Sequence, residues 1–236
     1  MRYMSETKFS LALTTFNRAD RLIPFVQKYE TYSDLNEIII TDDCSNDYDA
    51  FKKEAWAPKI KIERNDVNLG AYVNKLKTLS KTTNKWVLLF DSDNFFEESF
   101  LKILLEEEKN NGLDENIVYC PTEALPNFKY THLDNLIIDK SNWNTIQKNE
   151  ACFINTGNIC LSQKAIAFLL WNFEHDKIKT PFVECKYMNY LFVKNGFKLK
   201  ALKGLSYQHA ISHDSFYLTH QPFHQHFDST FDWVLV

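Results

Sequence analysis

The sequence predicts an α/β domain with a mostly parallel central sheet and helices on both of its faces. In the first 120 residues, short apolar runs alternate with helical stretches, the pattern of successive strand–helix–strand units. The polar residues of that half gather where the apolar runs end: Thr14 and Thr15, Asp42 and Asp43, Asn65 and Asn68, Asp91 and Asp93. Ligands of open α/β sheets sit beyond the carboxyl ends of the strands, so this clustering marks a site. The composition is that of an ordinary folded chain, 44% hydrophobic and 25% charged over 236 residues.

The elements follow in order. Residues 9–14 (FSLALT) alternate as a strand, and Asn17 is placed to cap a helix running to about Tyr29. Residues 37–41 (EIIIT) are a short apolar strand, and 59–63 (KIKIE) another, followed by a polar helix ending at Ser80. The strongest buried strand is 86–90 (WVLLF), which runs into Asp91-Ser-Asp93. An acid-rich helix over 97–109 precedes the strand 117–120. Residues 127–149 are polar and weakly periodic, expected as loop and short strands crossing the site. Ser162 caps a buried helix to Trp171, Pro181 opens a second one to about Val193, and Asn195-Gly196 stops it. Residues 197–202 alternate as a last strand, and the tail from Tyr207 carries five of the seven histidines. No repeat or linker divides the chain. It reads as one domain over 1–236, with a first half to about 120 and a second half from 121.

Composition excludes several functions. The charge of −4 argues against duplex nucleic acid as the main partner. With five glycines, neither G-x-G-x-x-G nor G-x-x-x-x-G-K-[ST] can be written. The five cysteines have no C-x-x-C spacing, which suits reduced, buried thiols in a reducing, cytoplasmic setting. No apolar run is long enough to span a membrane, so a soluble chain without a transmembrane segment is expected.

Asp91-Ser-Asp93 has two readings. Two carboxylates leaving a buried strand can turn toward one ligand and share Mg²⁺ or Mn²⁺ with a diphosphate. Alternatively, they form a solvated turn in which Asp93 caps the next helix. Four blocks in fixed order decide between them: FSLALTTFNR (9–18), EIIITDDCSND (37–47), NLG (68–70) and WVLLFDSDN (86–94). Together they resemble the family-2 glycosyltransferases, enzymes of the GT-A fold that use nucleotide-diphosphate sugars.

The resemblance implies roles residue by residue. Thr14, Thr15 and Phe16 match residues that hold the nucleotide, Phe16 lying near the base. Asp43 matches the carboxylate that accepts a hydrogen bond from the base, Asp42 supports its loop, and Asn68 belongs to the nucleotide site. Asp91 matches the first carboxylate, near ribose and metal, and Asp93 the principal metal ligand. The cofactor is then Mn²⁺ or Mg²⁺. The chain departs from the family's Arg-Asn pair, with Val73-Asn74 in its place. The cation that the resemblance implies near the diphosphate is then missing, unless Lys75 or Lys77 replaces it.

The second half resembles the family more loosely. Counting back from Gly196, Glu184 takes the Glu position of a Glu-Asp block, and Cys185 replaces the Asp that serves inverting members as base. Glu184 is therefore either the general base or a carboxylate favoured at a helix start. His209 lies at the spacing of a late metal-binding histidine, or is an ordinary satisfied imidazole. His213, His220, His224 and His226 carry no such argument. Trp143 and Trp171 stack on a sugar or, as buried aromatics more commonly do, fill the core.

The implied function is metal-dependent, inverting sugar transfer from a nucleotide-diphosphate donor, UDP-linked by resemblance, to an acceptor hydroxyl on a glycan, lipid-linked carrier or protein. Two alternatives stand beside it. A haloacid-dehalogenase-type phosphohydrolase also ends a strand in Asp-x-Asp, but on its first strand. A non-catalytic nucleotide- or glycan-binding relative is suggested by Cys185 and Val73.

Overall fold

The computed structural model describes residues 7–172, 184–210 and 232–235. Strands β1 (Phe9–Thr15), β2 (Leu35–Asp42), β3 (Ile60–Arg64) and β4 (Trp86–Asp91) pair in parallel in the order β3-β2-β1-β4. The connections carry helices α1 (Ala19–Glu30) and α2 (Ala71–Leu79). Beyond β4 the sheet continues through β9 (Ile159–Ser162), β6 (Ile117–Leu125), β10 (Lys198–His209) and β5 (Asn94–Phe95). Short β7 (Phe128–Lys129) pairs with β6, and β8 (Ile137–Ile138) with β10.

Side chains alternate along each strand, so each strand feeds two cores. Phe9, Leu11, Leu13, Trp86, Leu88 and Phe90 point to one face, where Leu22, Val26 and Tyr29 of α1 meet Phe100 and Leu104 of α3 (Glu98–Asn111). Ala12, Val87 and Leu89 point to the other. There α2 packs with α6 (Gln163–Trp171) and α7 (Glu184–Lys194) through Leu76, Ile166, Leu169, Met188 and Phe192. Helices thus cover both faces, as the alternating runs predict.

The second half departs from a parallel sheet. β9 lies antiparallel between β4 and β6, with Leu89 opposite Ile159 and Trp86 opposite Ser162. The chain enters it from Asn158 at the site end of β4, whose Oδ1 accepts from the Asp91 amide at 3.0 Å. It must therefore run back down the sheet, and no crossover helix is needed. Residues 127–149 include α4 (Trp143–Asn149), and α5 (Ala151–Ile154) follows; neither carries a clear apolar period.

Two caps differ in outcome. Ser162 caps α6 as expected, its hydroxyl accepting from the Ala165 amide at 3.0 Å. Asn17 does not cap α1: it sits at φ 52°, and its amide oxygen accepts from Asn46 N at 2.9 Å. Asp47 takes over, its Oδ2 accepting from Ala19 N at 2.8 Å. Asparagine tolerates the left-handed region because its short amide bonds nearby backbone. Pro181 and the four histidines after residue 212 lie outside the described residues.

At the end of the sheet opposite the polar cluster, Glu37 is buried and accepts from Ser10 Oγ, Thr83 N at 2.8 Å and Thr83 Oγ1 at 3.1 Å. Burial alone would raise its pKa, but these bonds and Lys61 hold it below the usual carboxylate value. A depressed folded pKa adds stability that is present above the unfolded value and lost as pH falls through the folded one. Glu37→Gln should therefore lower unfolding free energy by about 1–3 kcal/mol at neutral pH. Urea melts of both proteins should converge toward pH 3.

Candidate active site

A cavity of about 620 Å³ opens beyond the carboxyl ends of β1, β2 and β4 and extends toward β6 and β10. It collects Thr14, Thr15, Phe16, Asp43, Asn68, Asp91, Asp93, Glu184 and His209 from the sequence candidates, but not Asp42, Lys77, Trp143 or Trp171. The volume suits a small organic ligand.

On the β1–β2 side, Thr15 is buried and its hydroxyl has no partner among the described residues. Phe16 is 47% exposed at the rim, a position from which a ring can cover a flat base.

Asp43 differs from the expected open acceptor. Its Oδ1 already accepts from Leu69 N at 2.8 Å and Asn65 Nδ2 at 2.9 Å, and its Oδ2 from Gly70 N at 2.9 Å. It ties down the loop before α2, which leaves little of the carboxylate for a base. Asn68 belongs to the same tie, donating to the Asp43 carbonyl at 3.2 Å and accepting from Gly70 N at 3.0 Å. Gly70 sits at φ +81°, a backbone state that side chains resist. Asp42 supports its loop as the resemblance implies, accepting from Ser45 N at 2.9 Å beside Arg64.

The centre of the cavity holds a buried charge cluster. Lys75, 2% exposed, reaches Asp91 Oδ1 at 2.7 Å and Glu184 Oε1 at 3.2 Å. Burial by itself would discharge this ammonium, but the charges of Asp91 and Glu184 raise its pKa well above the usual lysine value. Of the two lysines, Lys75 is the one that lines the cavity. Lys77 instead donates to Asn65 Oδ1 at 2.7 Å.

Burial raises the Glu184 pKa, the Lys75 charge works against the rise, and Asp91 adds to it. Glu184 thus has a higher affinity for a proton than an ordinary carboxylate, which is a property of a general base. Cys185 is pushed well above the usual thiol value, first by burial, so it stays protonated. Its Sγ lies 3.8 Å from Glu184 Oε1. Gly157 makes room for that thiol, since a Cβ there would stand 2.5 Å from Sγ.

The metal residues are brought near one another without forming a closed set. Arg18 pairs with Asp93, while Lys75 holds Asp91. The Asp93 pKa is raised by burial and by repulsion from Asp91, against the pull of Arg18. A divalent cation shared by the two carboxylates would relieve that repulsion, so this pair fits Mn²⁺ or Mg²⁺. His209 does not complete the set. Its Nδ1 accepts from Asn127 Nδ2 at 3.0 Å, and the same amide nitrogen donates to the His209 carbonyl at 2.9 Å, which fixes the amide's orientation. Burial lowers its pKa, so the neutral ring carries its proton on Nε2. Among the described residues, no three His, Cys, Asp or Glu side chains are grouped to hold a metal ion.

Four contributors escape a reading of local pattern: Arg18, Gly157, Asn158 and the aromatic wall of Phe128 and Tyr130. Arg18 lies inside the first block, and Gly157 is one of only five glycines, but neither signal names a partner. Trp143 fills the core, and Trp171 is 90% exposed and does not line the cavity. Among the cysteines, Cys152 is exposed, whereas Cys120, Cys160 and Cys185 are buried.

The model of the family "Glycosyl transferase family 2" matches residues 10–168, well over half of the chain. No curated protein matches the sequence. Among solved structures, S. aureus TarS aligns at TM-score 0.66 and 17% identity, over 90% of this chain and 38% of that one. The TarS 1–349 complex with UDP-GlcNAc aligns at TM-score 0.68 and 16% identity, over 91% and 61%, and a complex of the same fragment with UDP at 0.64 and 16%, over 90% and 63%. The chain spans less than two thirds of these TarS chains, and at this identity the likeness speaks for the GT-A fold alone.

Proposed function

Because the chain belongs to glycosyl transferase family 2, we propose that it moves a sugar from a nucleotide-diphosphate donor, UDP-linked, to an acceptor hydroxyl with inversion at the sugar carbon. The observation that carries this reading is the convergence of Lys75, Asp91 and Glu184 in one cavity beside Thr14 and Thr15 at the end of β1. TarS structures with UDP and UDP-GlcNAc support a uridine donor by likeness of fold. The phosphohydrolase alternative loses ground because Asp91 ends the fourth strand rather than the first. No described helix is long and apolar enough to cross a membrane.

Thr14, Thr15 and Phe16 bind the nucleoside end, and the loop held by Asp43 and Asn68 closes beside it. Lys75 faces the diphosphate and neutralises charge that develops as the sugar–oxygen bond breaks. Glu184 takes the proton of the acceptor hydroxyl. The freed oxygen electron pair forms the new bond to the anomeric carbon, and the old bond's electrons leave with the nucleoside diphosphate. Asp91 and Asp93 would hold the divalent cation, which supplies Lewis-acid stabilisation of the leaving diphosphate.

Asp93→Ala should abolish Mn²⁺-dependent strengthening of UDP binding while keeping the melting temperature within a few degrees, because Asp93 sits at the cavity rather than in either core. Calorimetry with UDP, in the presence of Mn²⁺ or a chelator, checks this. Equal UDP affinity with and without metal in the unaltered chain would overturn the metal assignment.

A further inference from the structure

The cavity has a second wall that the nucleotide and the charge cluster leave uncovered. Phe128 on β7, the strand that folds back from β6, and Tyr130 just after it both line it. Their rings are nearly parallel, with centroids 6.1 Å apart and planes 9° from each other. Each is braced from another element: Phe128 by His209 of β10 at 5.5 Å, Tyr130 by buried Phe153 of α5 at 5.4 Å. Both residues are half-buried and line the cavity.

Sheet order gives this wall its meaning. The nucleotide strands β1 and β2 lie on one side of β4, and β6, β7 and β10 lie on the other. Asp91 and Asp93 stand between them, and β5, which follows directly, pairs Asn94 with His209. A donor laid over β1 and β2 therefore presents its sugar toward the aromatic wall.

Charge narrows the ligand. The described lining holds four carboxylates (Asp43, Asp91, Asp93 and Glu184) against two full cations, Arg18 and Lys75. Both cations are engaged by carboxylates. Among the described lining residues, no further Lys or Arg is left on the wall side to bind a phosphate on the acceptor. An aromatic face carries partial negative charge and attracts the weakly positive C–H face of a sugar ring.

We propose that Phe128 and Tyr130 form the acceptor subsite and that the acceptor presents a neutral, unphosphorylated sugar ring, stacked on these two side chains with a hydroxyl toward Glu184. This inference rests on the glycosyltransferase reading.

The test uses the full chain saturated with UDP and Mn²⁺. Neutral disaccharides (diacetylchitobiose, cellobiose, lactose) and a glycerol-phosphate oligomer of similar length are titrated by saturation-transfer NMR. At least one neutral disaccharide should bind in preference to the oligomer. Its affinity should fall about tenfold in both Tyr130→Leu and Phe128→Leu, the worth of one well-packed aromatic face, and Tyr130→Phe should keep it. UDP affinity, unchanged in all three variants, reports that they fold and that the donor site stands. Preference for the phosphate oligomer, unchanged disaccharide affinity in the leucine variants, or no disaccharide binding where UDP binds would each overturn the subsite. Loss of UDP binding in the unaltered chain would instead overturn the transferase reading, and the acceptor role with it.

Discussion

Glu184→Gln is expected to transfer sugar ~10²–10⁴-fold more slowly than the unaltered chain, the usual worth of a positioned base, with nucleotide affinity nearly unchanged. The amide keeps the volume and can still accept from Lys75, which also retains Asp91. What disappears is the site that takes the hydroxyl proton. Cys185→Ala separates this from a general disturbance of the helix start. The thiol is held protonated, so its loss should cost little rate. Single-turnover kinetics with saturating donor would check both. A Glu184→Gln enzyme within a few-fold of the original rate, or a product that keeps the donor's configuration, would remove Glu184 as the inverting base.

Lys75→Met should be the most damaging substitution to the fold around the site. The ammonium is buried between two carboxylates, and removing it leaves Asp91 and Glu184 as uncompensated charges. Breaking a buried pair in this way costs about 3–5 kcal/mol, a large share of the 5–15 kcal/mol of a typical domain. Without the cation the Glu184 pKa should rise further. A group whose folded pKa is raised in this way must lose a proton before it can act as base, so the acid limb of the rate profile should move to higher pH. Adding Glu184→Gln to Lys75→Met should recover part of the stability, because the residues touch and their effects are not additive. Urea denaturation of the two single variants and the double variant tests this. Equal and additive losses would mean that the three charges do not act as a unit.

The half of the site built on β1, β2 and β4 is readable from short stretches. A buried strand shows as an apolar run, and the polar residues after it must lie at its carboxyl end. Thr14, Thr15, Asp91 and Asp93 follow from nothing more than that. Asp43 shows where this reasoning stops. Its position at the strand end is legible, but its three hydrogen-bond donors come from a loop more than twenty residues later. The same holds at Asn17, where the pattern of a helix cap is present and a backbone turn toward Asn46 takes the side chain away.

Strand positions, the two-faced core and the acidic rim were local properties, carried by side-chain periodicity and by the residues that interrupt it. Partnerships across the site were not local. Lys75 meets Glu184 over 109 positions, and Asn127 meets His209 over 82. Which side of β4 holds β1 and β2 and which holds Phe128 and Tyr130 depends on strand order, including the antiparallel insertion of β9. Strand order is chosen by how the whole chain buries its apolar faces and closes its loops. No single segment carries that information, so the aromatic wall and the charge cluster emerged only once the sheet was assembled.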